Sequence, residues 1–172
     1  AFSQFDLNLN PLGQPGADKP AVTVTGWFTV VPNGDSGTLY VQAVTEGQHY
    51  IYGVDQPAGD GPIPTRIKVD SSADYEVGPF RPLKAPKREY SEVFEVDLLT
   101  QQGTITWAAP IKFQPGTDAK GVVIRGQVTA QPCTKEYCTP PTDFSFVAKF
   151  QQTTAEEPAV VPPPDEVQSS DD

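Results

Sequence analysis

Proline and glycine punctuate this chain so densely that long helices are excluded before any other argument is made. Nineteen prolines and 14 glycines are spread through 172 residues, and Lys87 to Gln102 is among the longest spans free of both. A proline inside a helix removes a main-chain donor and collides with the preceding turn, at a cost of about 3 kcal/mol. The runs that survive between the breaks are short. Most of them alternate apolar and polar residues with period two, the pattern of half-buried strands.

Taken in order, Phe2, Phe5, Leu7 and Leu9 predict a first strand, and Asn10 to Pro20 a turn-rich connection. Ala21 to Val31 sets Val22, Val24 and Gly26 against Thr23, Thr25 and Trp27 and predicts a second strand. Pro32-Asn33-Gly34-Asp35 is a turn, because Asn-Gly tolerates positive φ. Thr38 to Val44 resumes with Leu39, Val41 and Ala43 on one side, and the short aromatic run His49 to Tyr52 follows. Beyond a Gly/Pro-dense loop from Gly53 to Pro64, strands are predicted at Arg66 to Asp70 and at Tyr75 to Val77. Three prolines make Gly78 to Pro86 an extended loop. Val93 to Leu99 reads as a strand, with one helical turn before it as the alternative. Thr104 to Ala108 and Ile111 to Phe113 continue the pattern around Pro110. About nine short strands with turns between them predict an all-β, immunoglobulin-like antiparallel sandwich, with a small barrel as the second choice.

The domain is expected over residues 1–150. Residues 151–172 carry six acidic residues, four prolines, and no basic or aromatic residue. Such a segment cannot bury enough apolar surface to fold and is expected to be a disordered linker. With 12 basic against 22 acidic residues the chain is net −10, which argues against a nucleic-acid partner. No apolar run approaches the roughly 20 residues of a membrane-spanning helix. The chain starts at Ala1 rather than Met, as a processed or trimmed product would.

Cys133 and Cys138 are the two cysteines, in the stretch Gln131 to Pro141. Before it, Val122, Ile124, Gly126, Val128 and Ala130 share a face; after it, Phe144, Phe146, Ala148 and Phe150 do. The stretch is therefore expected to be a loop between two antiparallel strands. Directly opposed strand residues lie about 4.5–5.5 Å apart at Cα, within the reach of a disulfide. In a helix, positions five apart point about 140° away from each other. The pair can thus open and close as a disulfide, either as a staple or as a reactive site. Chain entropy gives a staple of this size about 2 kcal/mol, and Pro132, Pro140 and Pro141 stiffen the flanks in a way that suits both roles. The residues alone leave the two readings even.

Other chemistry is thin. His49 is the one histidine and reads as an ordinary strand residue; two cysteines and a histidine fall short of the four ligands zinc usually takes. Neither a hydrolytic triad nor a phosphate-binding loop has a matching pattern, so no metal and no cofactor is expected.

The strand end Thr129-Ala130-Gln131, the spacing Cys133-x4-Cys138 and Thr139-Pro140-Pro141 resemble the N-terminal periplasmic domain of DsbD, the membrane-embedded thiol:disulfide interchange reductase. Gly47-Gln48-His49-Tyr50-Ile51-Tyr52 resembles that family's glycine-plus-aromatics strand. Gly61 to Ile67, Gly78-Pro79-Phe80 and Thr106 to Ile111 are similar to one branch of it, and the likeness covers roughly residues 20 to 150. The resemblance implies an immunoglobulin-like redox domain outside the inner membrane, tethered through its C-terminal tail. It would take electrons from a thioredoxin-like domain of the same reductase and pass them to oxidised periplasmic thiol:disulfide proteins. It also implies that Cys138 forms the mixed disulfide and Cys133 resolves it. Tyr50 and Tyr52 would pack near the pair, and Tyr90 or Phe94, in or beside Lys87 to Ser91, would act as a lid. Lys135 would favour a thiolate and Glu136 oppose it.

Overall fold

The computed structural model describes residues 20–152. The expected first strand at Phe2 to Leu9 and all but the start of the expected acidic linker lie outside the described residues. Within them the chain is all-β. Its elements are β1 (Val22–Val30), β2 (Ser36–Thr45), β3 (Tyr50–Tyr52), β4 (Arg66–Val69), β5 (Tyr75–Val77), β6 (Arg81–Pro82), β7 (Lys87–Ser91), β8 (Val96–Gln102), β9 (Thr104–Phe113), β10 (Val123–Ala130) and β11 (Thr142–Phe150), with a 3-10 turn at Ala119–Gly121.

Two sheets form the sandwich that the alternation predicts. The larger runs β4-β10-β11-β1-β2-β9-β5, with β6 also on β9; the smaller runs β3-β8-β7. Pairing is antiparallel throughout except between β1 and β11, which run parallel with Gly26 opposite Ala148. The inward set of each strand follows period two. Leu39, Val41 and Ala43 on β2, Ile105, Trp107 and Ile111 on β9, and Ile124 and Val128 on β10 are buried in one cluster with Phe28, and Ile51 of the small sheet joins it. On β10 the outward residues Arg125, Gln127 and Thr129 are exposed or half-buried, as expected.

Three expectations are corrected. The span read as a strand from Val93 is the tip of a hairpin: β7 and β8 pair from Lys87 opposite Thr100 to Ser91 opposite Val96, leaving Glu92 to Glu95 as the turn. Glu95 takes the left-handed φ of 56° that such a tip needs, without the glycine or asparagine that would have announced it. The loop from Gly78 to Pro86 contains β6, which adds Arg81 and Pro82 to β9 opposite Ala108 and Trp107. β9 itself runs unbroken through Pro110. The Pro110 carbonyl accepts from Gly78 N at 2.8 Å on the side where β5 has ended and β6 not begun. The missing N–H therefore faces Gly78, just beyond the end of β5, while the pairing of β9 with β2 is untouched.

The small sheet is extended by a side chain. Beyond the end of β3, Gly53 N donates to Leu99 O at 2.7 Å. Buried Gln56 then takes over: its Oε1 accepts from Leu99 N at 2.7 Å and its Nε2 donates to Asp97 O at 3.0 Å. One amide thus imitates a residue of a neighbouring strand. Gln56→Ala is expected to lower the free energy of unfolding by about 2 kcal/mol, because it leaves the buried Leu99 N–H without an acceptor. Urea unfolding checks this, and a change below about 0.5 kcal/mol would mean that the clamp does not hold β8 in place.

Candidate functional site: a disulfide on the edge of the small sheet

The β10–β11 ladder ends at Ala130 opposite Thr142. The eleven residues between do not close over it as a simple hairpin loop. They leave the large sheet and dock on the small one. Cys133 exchanges two main-chain hydrogen bonds with Tyr50, each 2.9 Å, so the loop adds a strand-like step beside β3. Cys138 is the next step outward, opposite Cys133. The order across this edge is therefore Cys138, Cys133, Tyr50, Gln102.

The two cysteines form a disulfide with their Cα atoms 4.0 Å apart. The hydrogen bonds explain the short separation. Thr134 N donates to Tyr137 O at 2.7 Å and Thr139 N to Pro132 O at 2.9 Å, one pair on each side of the cysteines. Cys133 and Cys138 thus occupy a non-hydrogen-bonded pair, the antiparallel position at which side chains come closest. Their environments differ sharply. Cys133 is 0% exposed, whereas Cys138 is exposed with Lys135, Glu136 and Tyr137 around it.

Thr134 ties the loop. Its Oγ1 accepts from Glu136 N and Tyr137 N, both at 3.3 Å, which makes the tight turn between the cysteines. Thr139 holds the other leg, donating from both N and Oγ1 to Pro132 O. Tyr50 reaches across from the small sheet, its hydroxyl donating to Thr134 O at 3.4 Å. Tyr52 meets Tyr50 edge-on at 5.8 Å. Burial, followed by the neighbouring Tyr50, pushes the Tyr52 phenol up to about 12, so Tyr52 is an uncharged packing group here. Tyr50 and Tyr52 are thus beside the pair, Tyr50 directly and Tyr52 behind it.

Tyr90 and Phe94 are not level with the cysteines. Tyr90 pairs with Asp97, five residues along β8 from Gln102, which faces Tyr50. At about 3.3 Å per residue that is some 16 Å along the strand. Tyr90 is 61% and Phe94 46% exposed, and the Phe94 ring lies over Gly61. Closer lie Thr134 and Tyr137, which the sequence did not single out, and His49, which was expected to be an ordinary strand residue and instead immediately precedes β3. Tyr137, 54% exposed, meets the His49 ring edge-on at 6.4 Å, and His49 Nδ1 lies 2.9 Å from Glu46 O. Thr134 had a legible signal, a threonine opening a tight turn. His49 and Tyr137 had none, being far apart in sequence. Lys135 and Glu136 are exposed and make no ion pair among the described residues. No three His, Cys, Asp or Glu side chains gather among the described residues. No helix among them is long and apolar enough to cross a membrane.

No family model matches the chain, and no curated protein does. Among solved structures it is similar to the N-terminal periplasmic domain of ScsB from Proteus mirabilis, at TM-score 0.50 and 16% identity, over 79% of this chain. The match takes in 48% of that structure, so the chain spans about half its length. The yeast GGA1 GAE domain (TM-score 0.38, 12% identity, 78% of this chain and 94% of that one) and the periplasmic chaperone SfaE (0.30, 12%, 84% and 61%) overlap more loosely. At these identities the likeness is one of fold: a β-sandwich of the kind found in a periplasmic domain.

Proposed function

We propose that the chain is a thiol:disulfide exchange domain that relays electrons through Cys133 and Cys138. One observation carries this reading: the disulfide sits at the outer edge of a sheet, with Cys138 exposed and Cys133 fully buried. The bridge closes a loop that main-chain and threonine hydrogen bonds already hold shut. As a staple it would contribute about 2 kcal/mol of chain entropy to a segment that needs little more ordering. As a reactive pair it presents one sulfur to a partner and keeps the other in reserve. The motif resemblance to the N-terminal domain of DsbD and the fold likeness to a periplasmic domain support the same reading.

In the reduced domain, the Cys138 thiolate attacks a sulfur of the partner's disulfide. A mixed disulfide forms and one partner thiolate leaves, taking up a proton. The Cys133 thiolate then attacks the Cys138 sulfur, restoring the internal disulfide and releasing the second partner thiol. Two electrons and two protons pass to the partner. The return half runs in reverse with a thioredoxin-like reductant. In this reading the domain works in the periplasm beside an inner-membrane reductase, with residues 151–172 as the tether.

The reduction potential tests the reading. A relay pair is expected to equilibrate with glutathione or thioredoxin buffers well above about −300 mV, whereas a purely structural bridge resists reduction down to that value or below. A potential at or below it would leave a binding module with a structural disulfide.

A further inference from the structure

Cys138 offers a partner more than a sulfur. In a non-hydrogen-bonded antiparallel pair, the N–H and C=O of both residues point away from each other. Those of Cys133 turn inward to Tyr50. Those of Cys138 therefore turn outward, at the open edge of the small sheet. Neither has a hydrogen-bond partner among the described residues, and the residue is exposed.

The flanks stop this edge from acting as a long template. Two residues on, the next outward position is Pro140, which has no N–H to give. Two residues back, Glu136 N is already engaged by Thr134 Oγ1 at 3.3 Å. Prolines on an edge are a common guard against uncontrolled strand pairing. Here they leave one complete donor-acceptor couple, and it belongs to the cysteine with the exposed side chain.

We propose that an extended segment of the redox partner pairs in antiparallel fashion with Cys138, through two main-chain hydrogen bonds, placing the partner's cysteine opposite it. This rests on the relay reading above and adds how the partner is held. In such a hydrogen-bonded pair, Cα atoms lie about 5.5 Å apart and side chains share a face. That separation is inside the 4.4–6.8 Å range a disulfide accepts. Main-chain pairing thus delivers the partner's sulfur to the position the mixed disulfide requires. Recognition is led by backbone rather than by side chains, so it tolerates different sequences around the partner's cysteine.

The test uses the full chain carrying Cys133→Ser and a six-residue extended peptide whose single cysteine is charged with thionitrobenzoate. Attack by the Cys138 thiolate on the cysteine sulfur forms the new disulfide and releases the coloured thiolate, which reports the rate. Each probe's rate is divided by its rate with free glutathione to remove intrinsic reactivity. N-methylation of the peptide's cysteine removes the N–H facing Cys138 and is expected to slow the reaction by about fivefold, the worth of one hydrogen bond. Methylating an adjacent residue, whose N–H points away, is expected to leave the rate within about twofold. Equal rates for all three peptides, with brisk reaction of the thionitrobenzoate disulfide of mercaptoethanol, would overturn the edge pairing and leave the relay standing. No reaction with any of these disulfides would overturn the relay and this inference together.

Discussion

Cys133→Ser, mixed with a thioredoxin-like protein whose one cysteine is charged with thionitrobenzoate, is expected to accumulate a stable mixed disulfide at Cys138. Cys138→Ser is expected to form little. The asymmetry follows from burial: Cys133 is fully buried between the loop and Tyr50, whereas Cys138 lies exposed on the edge. Thiol exchange needs a collinear approach to an accessible sulfur, and with Cys133 gone no thiol remains nearby to break the product. At least tenfold more adduct from Cys133→Ser is expected on a non-reducing gel, equivalent to about 1.4 kcal/mol in barrier. Both variants lose the same cross-link, worth about 2 kcal/mol or less, and Cys133→Ser in addition places a hydroxyl in a fully buried site. Urea unfolding of each variant shows whether both are folded under the trapping conditions. Equal trapping would sink the assignment of roles, and no trapping by either would sink the relay.

Gly126→Val is expected to destabilise the domain severely. Gly126 is central in β10, opposite Val69 of β4 on one side and Phe146 of β11 on the other. A Cβ there would sit 2.4 Å from the Lys68 carbonyl oxygen and 2.6 Å from the Phe146 ring. The oxygen is main chain and cannot swing aside, so β4 must leave β10 or Phe146 must leave the core. Overpacking of this kind costs about 3 kcal/mol or more, and detaching β4 adds to it. Thermal and urea unfolding of Gly126→Val should show a melting temperature lower by well over 10 °C, if the variant folds at all. Gly59→Ala is the control: nothing lies within 4 Å of its added methyl, and stability is expected to be unchanged. A Gly126→Val protein as stable as that control would mean that the β4–β10 contact is far looser than its register implies.

The two strands that bracket the cysteines were legible because alternation is local. Ile124, Val128 and Ala130, then Phe146 and Ala148, declare their buried face without reference to anything outside their own strand. The same holds for Leu39, Val41 and Ala43 on β2, and for the turn at Asn33-Gly34, where Gly34 takes φ 79°. The β7–β8 hairpin was misread because its tip lacks a turn residue: Glu95 adopts positive φ under the pull of the paired strands on either side. Pro110 misled for the opposite reason. It looked like a strand break, yet β9 stays paired with β2 through Pro110, whose nitrogen faces Gly78 between the ends of β5 and β6.

By itself, then, the sequence determined the all-β class, most of the strands and the pairing of Cys133 with Cys138, because each depends on residues within a few positions of one another. Tertiary structure alone decided where the cysteine loop goes. Nothing in Gln131 to Pro141 states that Cys133 will pair with Tyr50, eighty-odd residues earlier, instead of continuing the ladder on β11. That choice buries one sulfur, exposes the other, and turns the main chain of Cys138 outward. It also sets Tyr137 against His49, and it leaves Tyr90 some 16 Å along β8 from the level of the pair, with Phe94 in the turn beyond it. The physical reason is that a sheet edge is filled by whichever segment satisfies its main-chain donors and acceptors at least cost, and that competition is settled between distant parts of the chain.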